Sequence, residues 1–145
     1  MKDYSIYLCG GMGKFGKENF DEGNEWRKYI KRDLEECESK YKVSVCNPND
    51  LFNFVDNPPR YKTQNEVMRL DLHKLRNSDL VIVNFNDMLS LGSMAEIAIA
   101  YDRNIPVIGI DKENQVLHPW QECICERIFN DIDETLDYVK DFYLR

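Results

Sequence analysis

The sequence predicts an α/β fold: a small open parallel-sheet sandwich, Rossmann-like or flavodoxin-like, with four or five strands flanked by helices. Three observations carry that expectation. Short runs rich in Ile, Val, Leu and Tyr alternate with amphipathic segments along the chain. The run Leu80-Val-Ile-Val-Asn-Phe85 is almost continuously apolar, which suits a central parallel strand covered on both faces. At 145 residues the chain is long enough for one substantial core and too short for two, so residues 1–145 read as a single domain.

Tyr4 to Leu8 opens the pattern as a strand and runs into the glycine-rich loop Cys9-Gly-Gly-Met-Gly-Lys-Phe-Gly16. A helix follows from about Asn24 to Cys37, where Trp26, Ile30, Leu34 and Cys37 recur every three or four residues as one apolar stripe. Tyr41 to Val45 reads as the second strand, and Asn47-Pro-Asn-Asp50 stops it with turn-forming side chains. The segment from Leu51 to Tyr61, with Phe52, Phe54 and Asn57-Pro-Pro-Arg60, is the least regular; it either lies over a ligand pocket or is an ordinary surface connection. Thr63-Gln-Asn-Glu66 has capping-box spacing and opens a helix through Arg76.

After the Leu80–Phe85 strand, Ser90-Leu-Gly-Ser93 leads into a helix over 94–101 that is apolar nearly all round, which predicts that it is buried. Ile105 to Ile110 supplies another strand, and Glu126 to Phe129 a short last one. Asp131 or Asp133 caps a terminal helix with Ile132, Leu136, Val139 and Phe142 on its inner side. In such sheets ligands bind beyond the carboxyl ends of the strands, where strand order reverses, so the unusual segments after strands one and three should meet there.

Acidic residues outnumber basic ones 26 to 19, for a net charge of −7 and a pI near 4.9. That disfavours nucleic-acid polymers and anionic membranes as partners, while leaving room for a small anion in one local pocket. No long signal core or membrane-length segment is evident, so a cytoplasmic protein is expected. Five scattered cysteines read as buried thiols of a reducing compartment. Cys123-x-Cys125 lacks a second pair and the histidines are His73 and His118, so neither a structural metal nor a cofactor is expected.

Three constellations bear on chemistry. Gly11-x-Gly13-x-x-Gly16 has dinucleotide-loop spacing, but its helix starts too late and the second strand ends in Cys46-Asn47 instead of an acid suited to a ribose diol. A plain turn and a small-ligand backbone cradle stay open beside it. Asp71 falls between Val67 and Leu75 on the apolar side of its helix, at about 100° per residue, and must find a polar pocket, partners or a proton. Glu96 sits among Met94, Ala95, Ile97 and Ala98, where either a Ser93-x-x-Glu96 capping box or a nucleophilic carboxylate explains it. In the first helical turn the amide dipoles would keep such a carboxylate anionic.

Taken together, Ile6-Tyr-Leu-Cys-Gly-Gly11, Arg69-Leu-Asp-Leu72 followed by Asn77-Ser-Asp79, Ser90-Leu-Gly-Ser-Met-Ala-Glu96 and Ile105-Pro-Val107 resemble the nucleoside 2-deoxyribosyltransferase family and its nucleotide N-hydrolase relatives. The resemblance implies cleavage of an N-glycosidic bond. Glu96 would be the nucleophile at C1′, Asp71 the second active-site carboxylate, and Tyr7 the tyrosine that helps position them. Gly10, Gly11, Met12, Phe15, Phe52, Ser90, Gly92 and Ser93 are the substrate-binding candidates. Many transferases of the family place an aspartate where Ser90 stands, and a serine there resembles the monophosphate hydrolases. The arginine expected after the first strand in that branch is absent, with Gly13 and Lys14 in its region and Lys14 or Lys17 as substitute charges.

The implied partners are a nucleoside or nucleotide substrate, a free nucleobase acceptor, and further copies of the chain in a homodimer or larger homo-oligomer. Trp120 and the Ile128-Phe129 region are the candidate contacts. Base exchange is the leading activity, with a deoxynucleoside 5′-monophosphate N-hydrolase and a noncatalytic nucleotide-binding module as the alternatives.

Overall fold

The computed structural model describes residues 1–11, 20–52 and 61–145. Its elements are β1 (Lys2–Gly10), α1 (Phe20–Glu36), β2 (Tyr41–Cys46), α2 (Gln64–Arg76), β3 (Leu80–Asn84), α3 (Leu91–Asp102), β4 (Val107–Ile110), α4 (Pro119–Ile124), β5 (Arg127–Phe129) and α5 (Ile132–Phe142). Single 3₁₀ turns follow β2 at Pro48–Asp50 and β3 at Phe85–Asp87. The five strands form one parallel sheet in the order β2-β1-β3-β4-β5, the flavodoxin-like arrangement. Strand order therefore reverses between β1 and β3.

Alternation along the central strands feeds two cores. Ile6, Leu8, Leu80, Ile82, Ile108 and Ile110 face Ile30 and Leu34 of α1 and Leu136 and Val139 of α5. Tyr7, Cys9, Val81, Val83 and Val107 face Leu75 of α2, Ile97 and Ala100 of α3, and Cys125 just beyond α4. All five residues of β3 are buried, as its unbroken apolar run predicts. Asp79 does structural work at the entry to β3, where its carboxylate accepts the Ser5 N–H at 2.8 Å.

The boundaries depart from the sequence expectations for identifiable reasons. α1 starts at Phe20 and not near Asn24, because its first turn precedes the apolar stripe. β4 starts at Val107 and not Ile105: Pro106 has no N–H to give, although its carbonyl accepts from Val81 at 3.0 Å. Thr63 caps α2 by accepting the Glu66 N–H, but Glu66 reaches back to the N–H of Lys62 instead of Thr63, so the reciprocal box is displaced by one residue. α4 was not expected; His118 caps it with Gln121 in a full capping box and Pro119 occupies the first turn.

Two packing expectations fail. α3 is apolar nearly all round yet only one side is buried, with Leu91 86% and Tyr101 59% exposed. In α5, capped by Asp131, Phe142 is 64% exposed and stacks on Tyr138, while Leu144 curls back to enter the core, its N–H reaching the Val139 carbonyl. The cysteines are all unpaired thiols, but Cys123 is exposed and Cys37 and Cys46 half-buried; Cys9 and Cys125 are the buried ones. Among the described residues no helix is long and apolar enough to cross a membrane.

Candidate active site

The reversal of strand order leaves a crevice at the carboxyl ends of β1 and β3, and the residues after those strands do meet. The Asn86 side chain accepts the Gly11 N–H at 3.0 Å and donates to the Gly11 carbonyl at 3.1 Å, locking the start of one loop to the other. Tyr7 lies on β1 with its ring wholly buried on the α2 and α3 side of the sheet. Its hydroxyl donates to Oε2 of Glu96 on α3. The other oxygen of Glu96 has no hydrogen-bond partner among the described residues.

α3 begins at Leu91, capped by the Ser90 hydroxyl, which accepts the Ser93 N–H at 3.4 Å. The Ser93-x-x-Glu96 capping box, one of the two sequence readings of Glu96, is therefore not formed. Glu96 sits in the second turn, beyond the first-turn amides that would hold it anionic. Its environment pushes the other way. Burial lifts its pKa from 4.5 to about 7, with repulsion from Asp71 adding to the rise and the Tyr7 hydrogen bond and Arg27 charge opposing it.

Asp71 occupies the middle of α2. It is raised from 3.8 to about 6 by burial, partly offset by Arg27. Its Oδ1 is buried and has no hydrogen-bond partner among the described residues. The apolar side on which the sequence placed it is not a core face: only Leu75 of α2 is buried, while Val67, Met68 and Leu72 line a cleft between α2 and α3. That cleft has a volume of about 550 Å³, and Asp71 and Glu96 both open into it together with Gly92 and Ala95. Two carboxyls with raised pKa values, one held by a tyrosine, thus share a largely apolar hollow. A separate hollow of about 370 Å³ at the β2 edge, near Lys31, Ser44 and Lys74, contains neither acid.

The model of the nucleoside 2-deoxyribosyltransferase family matches residues 6–136, nearly the whole chain. The chain belongs to this family. Membership assigns it, in general terms, to enzymes of glycosyl transfer or hydrolysis on nucleosides. Its fold is shared with the 2-deoxyribosyltransferase of Bacillus psychrosaccharolyticus (TM-score 0.72, 16% identity, 92% of this chain and 91% of that one). It is shared also with a conserved protein from Enterococcus faecalis V583 (TM-score 0.73, 14% identity, 96% and 98%). A third structure of the same fold is the Clostridium botulinum CMP N-glycosidase (TM-score 0.60, 16% identity, 94% and 98%). Among curated proteins, none matches the sequence significantly.

The remaining candidates of this family member separate into distinct groups. A Cβ on Gly10 would lie 2.5 Å from the Trp26 ring, and one on Gly11 would lie 2.7 Å from Cβ of Asp87, so close packing requires both glycines. At Gly92 nothing lies within 4 Å, and it borders the cleft. Ser90 and Ser93 engage one another, with the Ser90 hydroxyl donating to Ser93 Oγ at 3.1 Å, and Ser93 is buried. Phe52 is buried edge-on to Tyr61 and is not part of the described cleft wall. Met12, Phe15 and Phe54 lie outside the described residues, as do Gly13, Gly16, Lys14 and Lys17.

Two features escaped the sequence reading. Asn24, Asn47 and Asn49 form an amide cluster at the end of β2, both neighbours donating to Asn24 Oδ1 at 3.0 Å; it accounts for Asn47 where a diol-binding acid was sought. Arg27 is buried at 3% exposure, its Nη2 donating to the Gly10 carbonyl at the end of β1. Its signal was available, since position 27 precedes Ile30 and Leu34 by three and seven residues and so falls on the apolar stripe.

Proposed function

We propose that this enzyme cleaves the N-glycosidic bond of a deoxynucleoside or nucleoside monophosphate by way of a glycosyl ester on Glu96, with exchange of one base for another as its main outcome. The observation that carries the reading is the Tyr7-held Glu96 facing the same cleft as Asp71. Glu96 attacks C1′ with its unbonded oxygen: the C1′–O bond forms as the C1′–N bond breaks, and the departing base keeps the electron pair and takes up a proton. Asp71 orients the sugar and assists that proton movement, helped by burial that lets it retain a proton near pH 6. A second base or water then displaces Glu96 from C1′, and two inversions retain configuration.

Hydrolysis is the second reading, favoured by Ser90 at the position where many transferases carry aspartate. Exposed apolar side chains on α2, α3 and α4, notably Met68, Leu91 and Trp120, support a second copy of the chain against this side, to be measured as molar mass in solution.

Chromatography of reactions on nucleosides and nucleoside monophosphates, with and without an acceptor base, tests the proposal. Free base and a new nucleoside indicate transfer, and free base with free sugar indicates hydrolysis. Binding without turnover would support a nucleotide-binding module and reject catalysis. Glu96→Ala should lower turnover by at least ~10²-fold, and near-normal turnover by the folded variant would reject its role as nucleophile.

A further inference from the structure

An open sheet has two edges, and here they are closed in different ways. β5 is three residues long and offers an incoming strand little to pair with, whereas β2 runs for six residues from Tyr41 to Cys46. Along an edge strand of a parallel sheet, the backbone groups of alternate residues turn away from the neighbouring strand. On β2 these belong to Tyr41, Val43 and Val45, because Val45 directs both of its groups to side chains of α1. Its N–H donates to Oε2 of Glu35 at 2.9 Å, and its carbonyl accepts from Nζ of Lys31 at 2.7 Å. The two side chains also meet each other, with Nζ and Oε2 3.5 Å apart. At the start of the strand the Tyr41 N–H donates to Oγ of Ser39 at 3.0 Å. Among the described residues, no side chain engages the outward groups of Val43.

We propose that Lys31 and Glu35 form an edge clamp, occupying both backbone groups of Val45 so that β2 cannot accept a strand from another copy of the chain. The sequence of α1 builds it. Lys31 and Glu35 lie one turn apart and each follows an inner residue, Ile30 and Leu34, so they emerge together at the rim of the packed face. Without them two copies related by a twofold axis would lay β2 antiparallel to β2 and continue one sheet through both. With them, an incoming strand finds Val43 open between two positions already bonded. Each side chain supplies the hydrogen bond that a partner strand would give, and displacing the pair would leave two charges to be resettled at the new interface. The clamp has no part in the reaction proposed for Glu96, and its test needs no turnover.

Light scattering over a concentration series, with amide hydrogen exchange on the same samples, compares wild type, Lys31→Met/Glu35→Ala and Glu35→Gln. At dilutions where the double variant matches wild type in molar mass, its Val45 amide should exchange at least about tenfold faster. As concentration rises, its mass should climb to at least about twice the wild-type value. The Val43 amide should slow at least about tenfold over the same range, since pairing with a second β2 takes up its N–H. Glu35→Gln keeps an acceptor for the Val45 N–H and should follow wild type in every measurement. A folded double variant of wild-type mass throughout the series overturns the proposal. Growth in mass without protection of Val43 also overturns it, because the copies then meet on another surface. Should the double variant fail to fold, Glu35→Ala alone decides: faster Val45 exchange together with growth that protects Val43 supports the clamp, and any other result refutes it.

Discussion

Replacing Glu96 by Gln should make the protein more stable in base and leave it nearly unchanged in acid. In the unfolded chain Glu96 titrates near 4.5, and in the folded protein burial raises that value to about 7. Below pH 4.5 both states carry the proton. Between the two values only the folded state retains it, so stability falls as pH rises, and above pH 7 the loss is complete. A displacement of that size corresponds to about 3 kcal/mol at pH 8.5. Glutamine removes the ionisation while its amide oxygen can still accept from the Tyr7 hydroxyl, so at pH 5 the two proteins differ little. For a chain of 145 residues the expected gain at pH 8.5 is roughly 5–10 °C in Tm. Thermal unfolding followed by circular dichroism at pH 5 and pH 8.5 measures it. An equal shift at both pH values, or a less stable variant at pH 8.5, would refute the claim that Glu96 is ionised against its surroundings.

Tyr7→Phe removes the hydrogen bond that favours the Glu96 carboxylate, so the acid limb of kcat/KM should move to higher pH and turnover at pH 6 should fall more than at pH 9. A uniform loss across pH would assign Tyr7 to packing alone. The glycines provide a paired contrast. Gly10→Ala should cost about 1–3 kcal/mol in urea denaturation because its methyl group meets Trp26. Gly92→Ala should be neutral or up to about 1 kcal/mol stabilising, since it enters open space in a helix. If substrate occupies the cleft, Gly92→Ala should nevertheless raise KM, and an unchanged KM would place the substrate elsewhere.

The sheet was legible because its strands announce themselves independently of context. Leu80–Val83 is apolar on both faces and belongs to the central strand of the five, and Ile6, Leu8, Tyr7 and Cys9 alternate between two cores. The resemblance, and not the apolar surroundings of either acid, is what assigns Asp71 and Glu96 to one site in the sequence, and the two line the same cleft. What the sequence could not give was the depth of the cleft. Periodicity makes Val67, Met68 and Leu72 look like core, and only the separation of α2 from α3 turns them into a wall. The start of α3 differs from the expected one for a local reason: Ser90 and Ser93 are both competent caps three residues apart, and the use of Ser90 moves Glu96 from the first turn into the second. Arg27 is hidden from hydrophobic periodicity because a charged side chain holds a position on the stripe of Ile30 and Leu34.

The shift in α3 changes the electrostatic logic of the proposed reaction. A first-turn carboxylate would be kept ionised by backbone amides that also dilute its attraction for a cation. In the second turn, in an apolar hollow, Glu96 lacks that help and is half protonated near pH 7. The same low polarity strengthens its interaction with positive charge developing on a sugar ring during attack at C1′, because little water reorganises around it. Tyr7 tempers the burial without removing it. Under this mechanism the cost to folding and the gain in reactivity have one origin, so stability should decline over the same pH interval in which kcat/KM climbs, both governed by a single ionisation. Two well-separated midpoints would mean that the group limiting turnover is not the carboxylate that strains the fold.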